Sequence, residues 1–384
     1  MRFTEALARP GFGAVAEFKR RSPSAGDISP DARVEDVVAA YQHGGARAVS
    51  ILVDEAFAGS LDDLRAARAT TGLPLLAKGF FSTEEHLREV REAGADAALL
   101  ILRDLDDAAA ARLMRAADEL GLDTLVEAHD EEELERAARL GAGVIGVNAR
   151  DLGTFRIDRA AQLELVARAP RDRVVVAESA IHTRAQAAAA ELAGANAVLV
   201  GTSLMRADEP GAKLGELLSR PLVKVCGLTR KEDVDAAVEA GADLCSFIFA
   251  EGSPRRATGI LPVPDTVLSV AVFVGEPDER GADLVQLYAH EEGKVRGRDA
   301  VLLRDGEPVA RVADLPWEGE DPDHWRNARG DDRLVLAGRL GPDNVRAAIQ
   351  AVDPWAVDAA SRLESAPGIK DHAKVRAFVR EARA

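Results

Sequence analysis

Short apolar runs recur along the first half of the chain: Ala14 to Phe18, Ala48 to Val53, Leu75 to Lys78, Ala97 to Leu102, Thr124 to Ala128, Val144 to Val147, Val174 to Ala177 and Ala197 to Val200. Stretches of helical spacing, such as Ser82 to Ala93 and Ala108 to Leu120, lie between them. Several close on a Gly-Ala pair, at Gly45-Ala46, Gly94-Ala95, Gly141-Ala142 and Gly194-Ala195. A glycine just past the last turn is a helix stop. Nearly continuous apolar strands alternating with helices describe a parallel sheet covered on its outside. Eight of them by residue 200 predict a (β/α)8 TIM barrel rather than a doubly wound sheet.

Polar residues interrupt the pattern where such a barrel carries its chemistry. In Ala14-Val-Ala-Glu17-Phe-Lys19-Arg-Arg-Ser22-Pro-Ser24-Ala-Gly26, alternation puts Glu17 and Lys19 on one face and Ala16 and Phe18 on the other. Alone, that pair also reads as a surface ion pair on an edge strand. Lys78, Glu127, Asn148 and Glu178-Ser179 fall at later strand ends, and the eighth strand runs into Gly201-Thr202-Ser203. In a barrel these ends converge on one mouth. Ser22, Ser24, Gly26, the Ala180-Ile181 turn and Gly201-Thr202-Ser203 supply hydroxyls and backbone N–H groups for a phosphate there.

Composition narrows the picture. A chain of 384 residues accommodates two domains. The 49 Lys and Arg against 65 Asp and Glu give a net charge of −16, which disfavours a nucleic-acid surface but allows a local phosphate pocket. Cys226 and Cys245 are too few for a disulfide framework. With no signal-peptide core and no membrane-length apolar run, a cytoplasmic location is expected. The seven histidines, His129 and His182 among them, lack ligand spacing and most read as surface positions, and no metal is expected.

After Met205-Arg-Ala-Asp-Glu-Pro-Gly211 the pattern restarts with a strand at Leu222 to Cys226, a helix at Lys231 to Ala240, Gly241-Ala242 and a strand at Leu244 to Phe249. The expected division is a barrel over 1–211, a linker over 212–220 and a second, shortened (β/α)8 barrel over 221–384. Cys226, beside Lys224 and a glycine turn, sits where a thiolate is favoured, whereas Cys245 reads as a small core residue.

Six ordered motifs in the first half resemble indole-3-glycerol phosphate synthase: Glu17-Phe-Lys19-Arg-Arg-Ser22-Pro-Ser24, Leu76-Ala-Lys78-Gly-Phe80, Val126-Glu127-Ala-His-Asp130, Gly146-Val-Asn148-Ala-Arg150-Asp-Leu152, Val176-Ala-Glu178-Ser179 and Val200-Gly201-Thr202-Ser203-Leu-Met205. The resemblance implies decarboxylative ring closure of 1-(2-carboxyphenylamino)-1-deoxyribulose 5-phosphate in tryptophan biosynthesis, without cofactor. It makes Lys78 the general acid and gives Lys19 the substrate carboxylate or the departing hydroxyl. Glu127 becomes the acid/base partner in dehydration, oriented with the others by Glu17 and Asn148. Ser22, Arg150, Glu178, Ser179, Gly201 and Thr202 would line the sugar and phosphate, and Phe57 and Phe80 would wall the anthranilate ring. Gly79 stands where the family usually has Asp, and Ala180 where it has Gly. The segment before the first strand is short, so one lid over the mouth is expected to be missing.

The second half resembles phosphoribosylanthranilate isomerase through Lys224-Val-Cys226-Gly-Leu-Thr, Phe247 to Arg255, Val270 to Val274, Asp283 to Leu287, Leu336-Ala-Gly338 and Val357-Asp358-Ala-Ala-Ser361 with Glu364 and Pro367 to Asp371. The resemblance implies an Amadori rearrangement of N-(5-phosphoribosyl)anthranilate, with Cys226 as general base, Asp314 as general acid and Arg255 on the anthranilate carboxylate. Gly338, Asp358 and Ser361 would serve the phosphate side. Arg339 and Arg362 replace two phosphate-loop glycines, and as forks they could hold the phosphate instead. Trp317 to Glu320 replaces a glycine-rich segment, and the short span Arg304 to Pro308 implies that one outer helix is absent. Two readings of this half stay open, a working isomerase and a catalytically silent barrel. For the whole chain, a monomer acting on small anthranilate-sugar phosphates is weighed against a sugar-phosphate-binding regulator.

Overall fold

The computed structural model describes residues 2–22, 26–150, 156–278, 280–289, 299–315, 325, 328 and 333–384; Ser24 and the Trp317 to Glu320 segment lie outside them. The chain divides into two compact units, Met1–His182 with Ala187–Leu218, and Thr183–Gln186 with Ser219–Ala384. Each is built on its own closed eight-stranded barrel.

In the first unit the strands are β1 (Gly13–Phe18), β2 (Ala48–Leu52), β3 (Leu75–Lys78), β4 (Ala97–Ile101), β5 (Asp123–Ala128), β6 (Val144–Asn148), β7 (Val174–Glu178) and β8 (Ala197–Val200). All neighbours are parallel, and β1 closes the ring by pairing with both β2 and β8. The apolar runs are continuous because helices cover the outer face while side chains fill the interior, so a strand such as β1 is buried at every position. Helix starts are fixed locally. Asp106, Asp130 and Asp158 accept the backbone N–H three residues on, which fixes where the helices Asp107–Glu119, Glu131–Arg139 and Arg159–Arg168 begin.

Two helices of this unit lie outside the strand-helix alternation. The residues ahead of β1 form a short helix, α1 (Phe3–Leu7), at the end opposite the mouth. The Thr4 N–H donates to Asp123, the first residue of β5, and Arg47, just before β2, donates to the carbonyls of Leu7, Arg9 and Pro10. Residues 212–220, set apart as a linker containing a short helical segment, carry most of the helix Pro210–Leu218, whose Leu214 and Leu217 are fully buried in the first unit. Glycine makes its seat: a Cβ at Gly44 would lie 2.4 Å from the Gly211 carbonyl oxygen.

The second unit has β9 (Leu222–Cys226), β10 (Leu244–Ile248), β11 (Leu268–Val274), β12 (Leu284–Tyr288), β13 (Asp299–Arg304), β14 (Glu307–Asp314), β15 (Leu334–Ala337) and β16 (Ala356–Ala359). Seven run parallel, but β13 is antiparallel to both β12 and β14. The Arg304 to Pro308 span, read as a lost helix, is a two-residue hairpin turn with Asp305 at φ 51° and Gly306 at φ 83°. The shortening also goes further than one helix. Among the described residues this unit's α-helices are Lys231–Glu239, Val345–Val352 and His372–Arg383.

Candidate active site

The mouth of the first barrel opens over a cavity of about 1020 Å³. Of the residues singled out from sequence, Glu17, Lys19, Ser22, Phe57, Lys78, Phe80, Glu127, Asn148, Arg150, Ser179, Gly201 and Thr202 line it. Glu178 lies directly beneath, with no solvent exposure. Lys78 Nζ is 2.6 Å from Glu178 Oε2, 3.5 Å from Glu17 Oε2 and 3.9 Å from Glu127 Oε2. Lys19 Nζ is 2.6 Å from Glu17 Oε1. Asn148 Nδ2 donates to Glu127 Oε1 at 3.2 Å, and its Oδ1 accepts from Ser179 Oγ at 2.8 Å and the Arg150 N–H at 3.0 Å. Phe57 and Phe80 meet at the rim as a tilted pair with ring centroids 6.4 Å apart, and Phe80 is half exposed.

Two glycines make room for the charges. A Cβ at Gly201 would lie 2.2 Å from Glu17 Oε1, and one at Gly146 would lie 2.1 Å from Glu178 Oε1. Gly79, where the resemblance anticipated Asp, packs under Val53 and Phe81, 3.2 and 3.4 Å from the position of a Cβ. Ala180 has φ 54°, the left-handed region, so the methyl that replaces a hydrogen there is carried on strained backbone.

Burial works against every charge in this cluster, and the neighbours decide each outcome. Burial alone would discharge Lys78, but Glu178, Glu17 and Glu127 together raise its pKa well above the usual lysine value. Burial would raise Glu17, yet Lys19 and Lys78 hold it below the ordinary carboxylate value. For Glu127 burial is overcome by His129, Lys78 and Asn148, which bring it down to about 2. Glu178 goes the other way: burial pushes it up to about 7, and the repulsion of Glu127 and Glu17 helps to outweigh Lys78.

Sequence reasoning misplaced one participant. His129, expected at the surface, has a side chain only 2% exposed, with Nε2 3.0 Å from Glu127 Oε1 and Nδ1 2.9 Å from Glu133 Oε2. The signal was available: two residues beyond Glu127, it emerges on the same face of the chain. His182 is exposed at the rim, and Arg206, which carried no sequence signal of its own, also lines the cavity.

In the second barrel Cys226 Sγ lies 3.1 Å from Ser246 Oγ, the donor, and Lys224 Nζ lies 2.8 Å from Asp358 Oδ2, both in the interior. The setting does not favour thiolate as expected. Burial pushes the Cys226 thiol up, and Lys224 only partly offsets it. Asp314, at the end of β14, accepts from the Tyr288 hydroxyl at 2.9 Å, and that hydroxyl accepts from Gln286. Arg255, expected on a substrate carboxylate, is instead forked onto Glu364 at 2.8 Å through Nε and Nη2, and Lys370 Nζ reaches the same carboxylate at 3.0 Å. Arg362 is likewise engaged, with Nη2 at 2.6 and 2.7 Å from the two oxygens of Asp343. Gly338 has φ 102° and a Cβ there would meet the Leu315 carbonyl oxygen at 2.6 Å, while the adjacent Arg339 adopts φ 54° and is exposed. Ser361 opens a short 3-10 turn, Ser361–Leu363.

Residues 1–217 match the family described as indole-3-glycerol phosphate synthase, and residues 322–381 match the family described as N-(5'phosphoribosyl)anthranilate (PRA) isomerase. Indole-3-glycerol phosphate synthase 2 of Streptomyces coelicolor is 46% identical over 217 residues, 56% of this chain and 84% of that protein. The indole-3-glycerol phosphate synthase of Mycobacterium ulcerans is 42% identical over 215 residues, 56% of this chain and 79% of that one. Among solved structures, the phosphoribosyl anthranilate isomerase of Thermotoga maritima superposes with a TM-score of 0.35 at 28% identity, covering 43% of this chain and 99% of its own.

Proposed function

The chain belongs to the indole-3-glycerol phosphate synthase family, and from that premise we propose how its first barrel converts 1-(2-carboxyphenylamino)-1-deoxyribulose 5-phosphate into indole-3-glycerol phosphate, carbon dioxide and water. The observation that carries the assignment of roles is the Lys78 ammonium, ringed by three carboxylates at 2.6, 3.5 and 3.9 Å on the floor of the cavity. The anthranilate ring lies against the wall formed by Phe57 and Phe80, and the ring carbon bearing the carboxylate attacks the ketone carbon of the sugar. As the C–C bond forms, Lys78 stabilises the developing alkoxide and then gives it a proton. Even an ammonium of raised pKa can do this, because an alkoxide is about as basic as hydroxide, whose parent water has a pKa of about 15.7. Loss of carbon dioxide restores the aromatic ring. The new hydroxyl then departs as water with a proton from Lys19, and Glu127 removes the proton from the neighbouring carbon to form the double bond of the indole. Ser22, Arg150, Ser179, Gly201 and Thr202 hold the phosphate side, while Glu17, Asn148 and Glu178 keep the lysines and Glu127 in place.

For the second barrel the reading is the isomerase reaction that supplies this substrate, with Cys226 as base and Asp314 as acid, supported by the match over residues 322–381. The engaged state of Arg255 favours the alternative of a silent barrel, because that cation must leave the buried Glu364 carboxylate before it can hold a substrate, whereas the exposed pair of Arg362 with Asp343 opens at little cost. The chain is read as a cytoplasmic monomer that acts on small phosphates and not on nucleic acid. No helix of the described residues is long and apolar enough to cross a membrane.

One variant tests both halves. Full-length Lys78→Ala supplied with 1-(2-carboxyphenylamino)-1-deoxyribulose 5-phosphate is expected to release carbon dioxide at least ~10²-fold more slowly than the parent, since a positioned proton donor contributes about 10²–10⁴. Near-parental release rules out Lys78 as the acid, and binding without release in the parent supports the regulator reading. Supplied with phosphoribosylanthranilate, the same variant accumulates the deoxyribulose phosphate if the second barrel works and leaves the starting compound untouched if it is silent.

A further inference from the structure

Around the first cavity one buried ionisable side chain has no part in the chemistry above. His129 follows directly on β5, and its ring is shut off from solvent between two carboxylates. On one side Glu133, from the next helix, takes both the backbone N–H of His129 at 2.8 Å and the ring Nδ1 at 2.9 Å on a single oxygen, Oε2. The other oxygen of Glu133 accepts from Arg103 Nε at 3.4 Å. Asp130, the cap of that helix, fixes the Glu133 backbone N–H at 2.9 Å. On the far side Nε2 stands 3.0 Å from Glu127 Oε1, within ion-pair distance but not aligned for a hydrogen bond; Asn148 contacts the same oxygen, while Lys78 approaches Oε2. The charged groups around the imidazole are therefore Glu127 and Glu133 in contact, with Lys78 and Arg103 behind them.

We propose that His129 is a positioning residue of the synthase site: gripped by Glu133, its imidazolium holds the Glu127 carboxylate ionised and aimed at the carbon that loses its proton in the dehydration. A neutral imidazole has one N–H and so can serve one carboxylate, whereas two carboxylates at opposite ring nitrogens are matched only by the cation. Burial would discharge the ring, but Glu127 and Glu133 outweigh it and lift its pKa to about 9. The benefit to Glu127 is reciprocal. A base must be unprotonated when its turn comes, and in a site crowded with Glu17 and Glu178 it needs a second cation besides Lys78 to remain so. Anchoring by Glu133 keeps that cation from turning away when substrate fills the cavity.

The inference rests on the synthase reading, so the test has one arm that needs no turnover. In the full-length protein labelled at histidine, the NMR signal of the His129 ring is expected to titrate near pH 9. In Glu133→Gln, which leaves the cavity lining intact, it moves down toward the ordinary value near 6.5. A parental ring that titrates near 6.5 overturns the clamp whether or not the enzyme turns over. In the activity arm, His129→Asn and Glu133→Gln are each expected to lower kcat about tenfold or more, with KM within about twofold. The acid limb of the kcat profile is expected to move up by about one pH unit as Glu127 loses its partner, one unit being tenfold in proton affinity. Parental kcat and an unmoved acid limb in a folded His129→Asn protein overturn the proposal. If that variant does not fold, Glu133→Gln decides by the same criteria. A parental enzyme that releases no carbon dioxide sinks the synthase reading and leaves the NMR arm to judge the clamp.

Discussion

Glu178→Gln isolates the energetic cost of the active-site floor. Glu178 is fully buried, its Oε2 accepts from Lys78 at 2.6 Å, and its Oε1 has no hydrogen-bond partner among the described residues. Burial first, then repulsion from Glu127 and Glu17, raise its pKa from 4.5 to about 7. Below pH 4.5 the group is protonated in both folded and unfolded chains. Between 4.5 and 7 the folded chain retains a proton that the unfolded chain releases, so stability falls as pH rises, and above 7 the loss is complete. At about 1.4 kcal/mol per unit the total is roughly 3 kcal/mol. Glutamine stays neutral throughout and escapes the loss. The variant should therefore exceed the parent by no more than about 1 kcal/mol near pH 5 and by up to about 3 kcal/mol at pH 8. Urea unfolding followed by far-UV circular dichroism at the two pH values measures the gap. His129 makes its own contribution, lost as pH rises from 6.5 through about 9, but in both proteins alike, so it cancels in the difference. All three tryptophans lie beyond residue 218, so their fluorescence follows the second unit separately. A gap that stays constant from pH 5 to pH 8, or closes, refutes the reasoning. Activity should fall in the same protein, because Lys78 loses its nearest carboxylate.

Two glycine-related substitutions complete the set. Gly201→Ala drives a methyl to 2.2 Å from Glu17 Oε1 and 3.1 Å from Lys19 Nζ; it is expected to break that ion pair and lower kcat by about tenfold or more with the circular dichroism spectrum unchanged, and parental kinetics would contradict the packing. Ala180→Gly relieves a left-handed residue at φ 54°; with about 1–2 kcal/mol of relief set against about 0.5–1 kcal/mol of added chain entropy, a gain of up to about 1 kcal/mol in urea unfolding and a lower KM are expected, whereas a loss of stability would show the turn to be unstrained.

The barrel walls could be read from the chain because strands buried on both faces are written as unbroken apolar runs, and strand-end polar residues such as Lys78 and Glu127 stand out against them. His129 could not be found by looking for ligand spacing, since its partners are carboxylates; alternation along β5 and the four-residue step to Glu133 were the usable signs. The reversal of β13 was also legible, in the Asp305-Gly306 pair between two apolar runs, a hairpin signal that goes with the outer helix expected to be absent there. What could not be read was the engagement of Arg255 by Glu364, more than a hundred positions away, and of Arg362 by Asp343. Such pairings depend on where the closed barrel brings loops together.

The backward strand has a practical corollary. Because β13 descends, the corner at Asp305 and Gly306 is at the opposite pole of its cylinder from Cys226 and Asp314. A peptide tag or fluorophore grafted at that corner extends from the pole away from Cys226 and Asp314, at a tight two-residue turn that leaves the barrel's strand pairing intact.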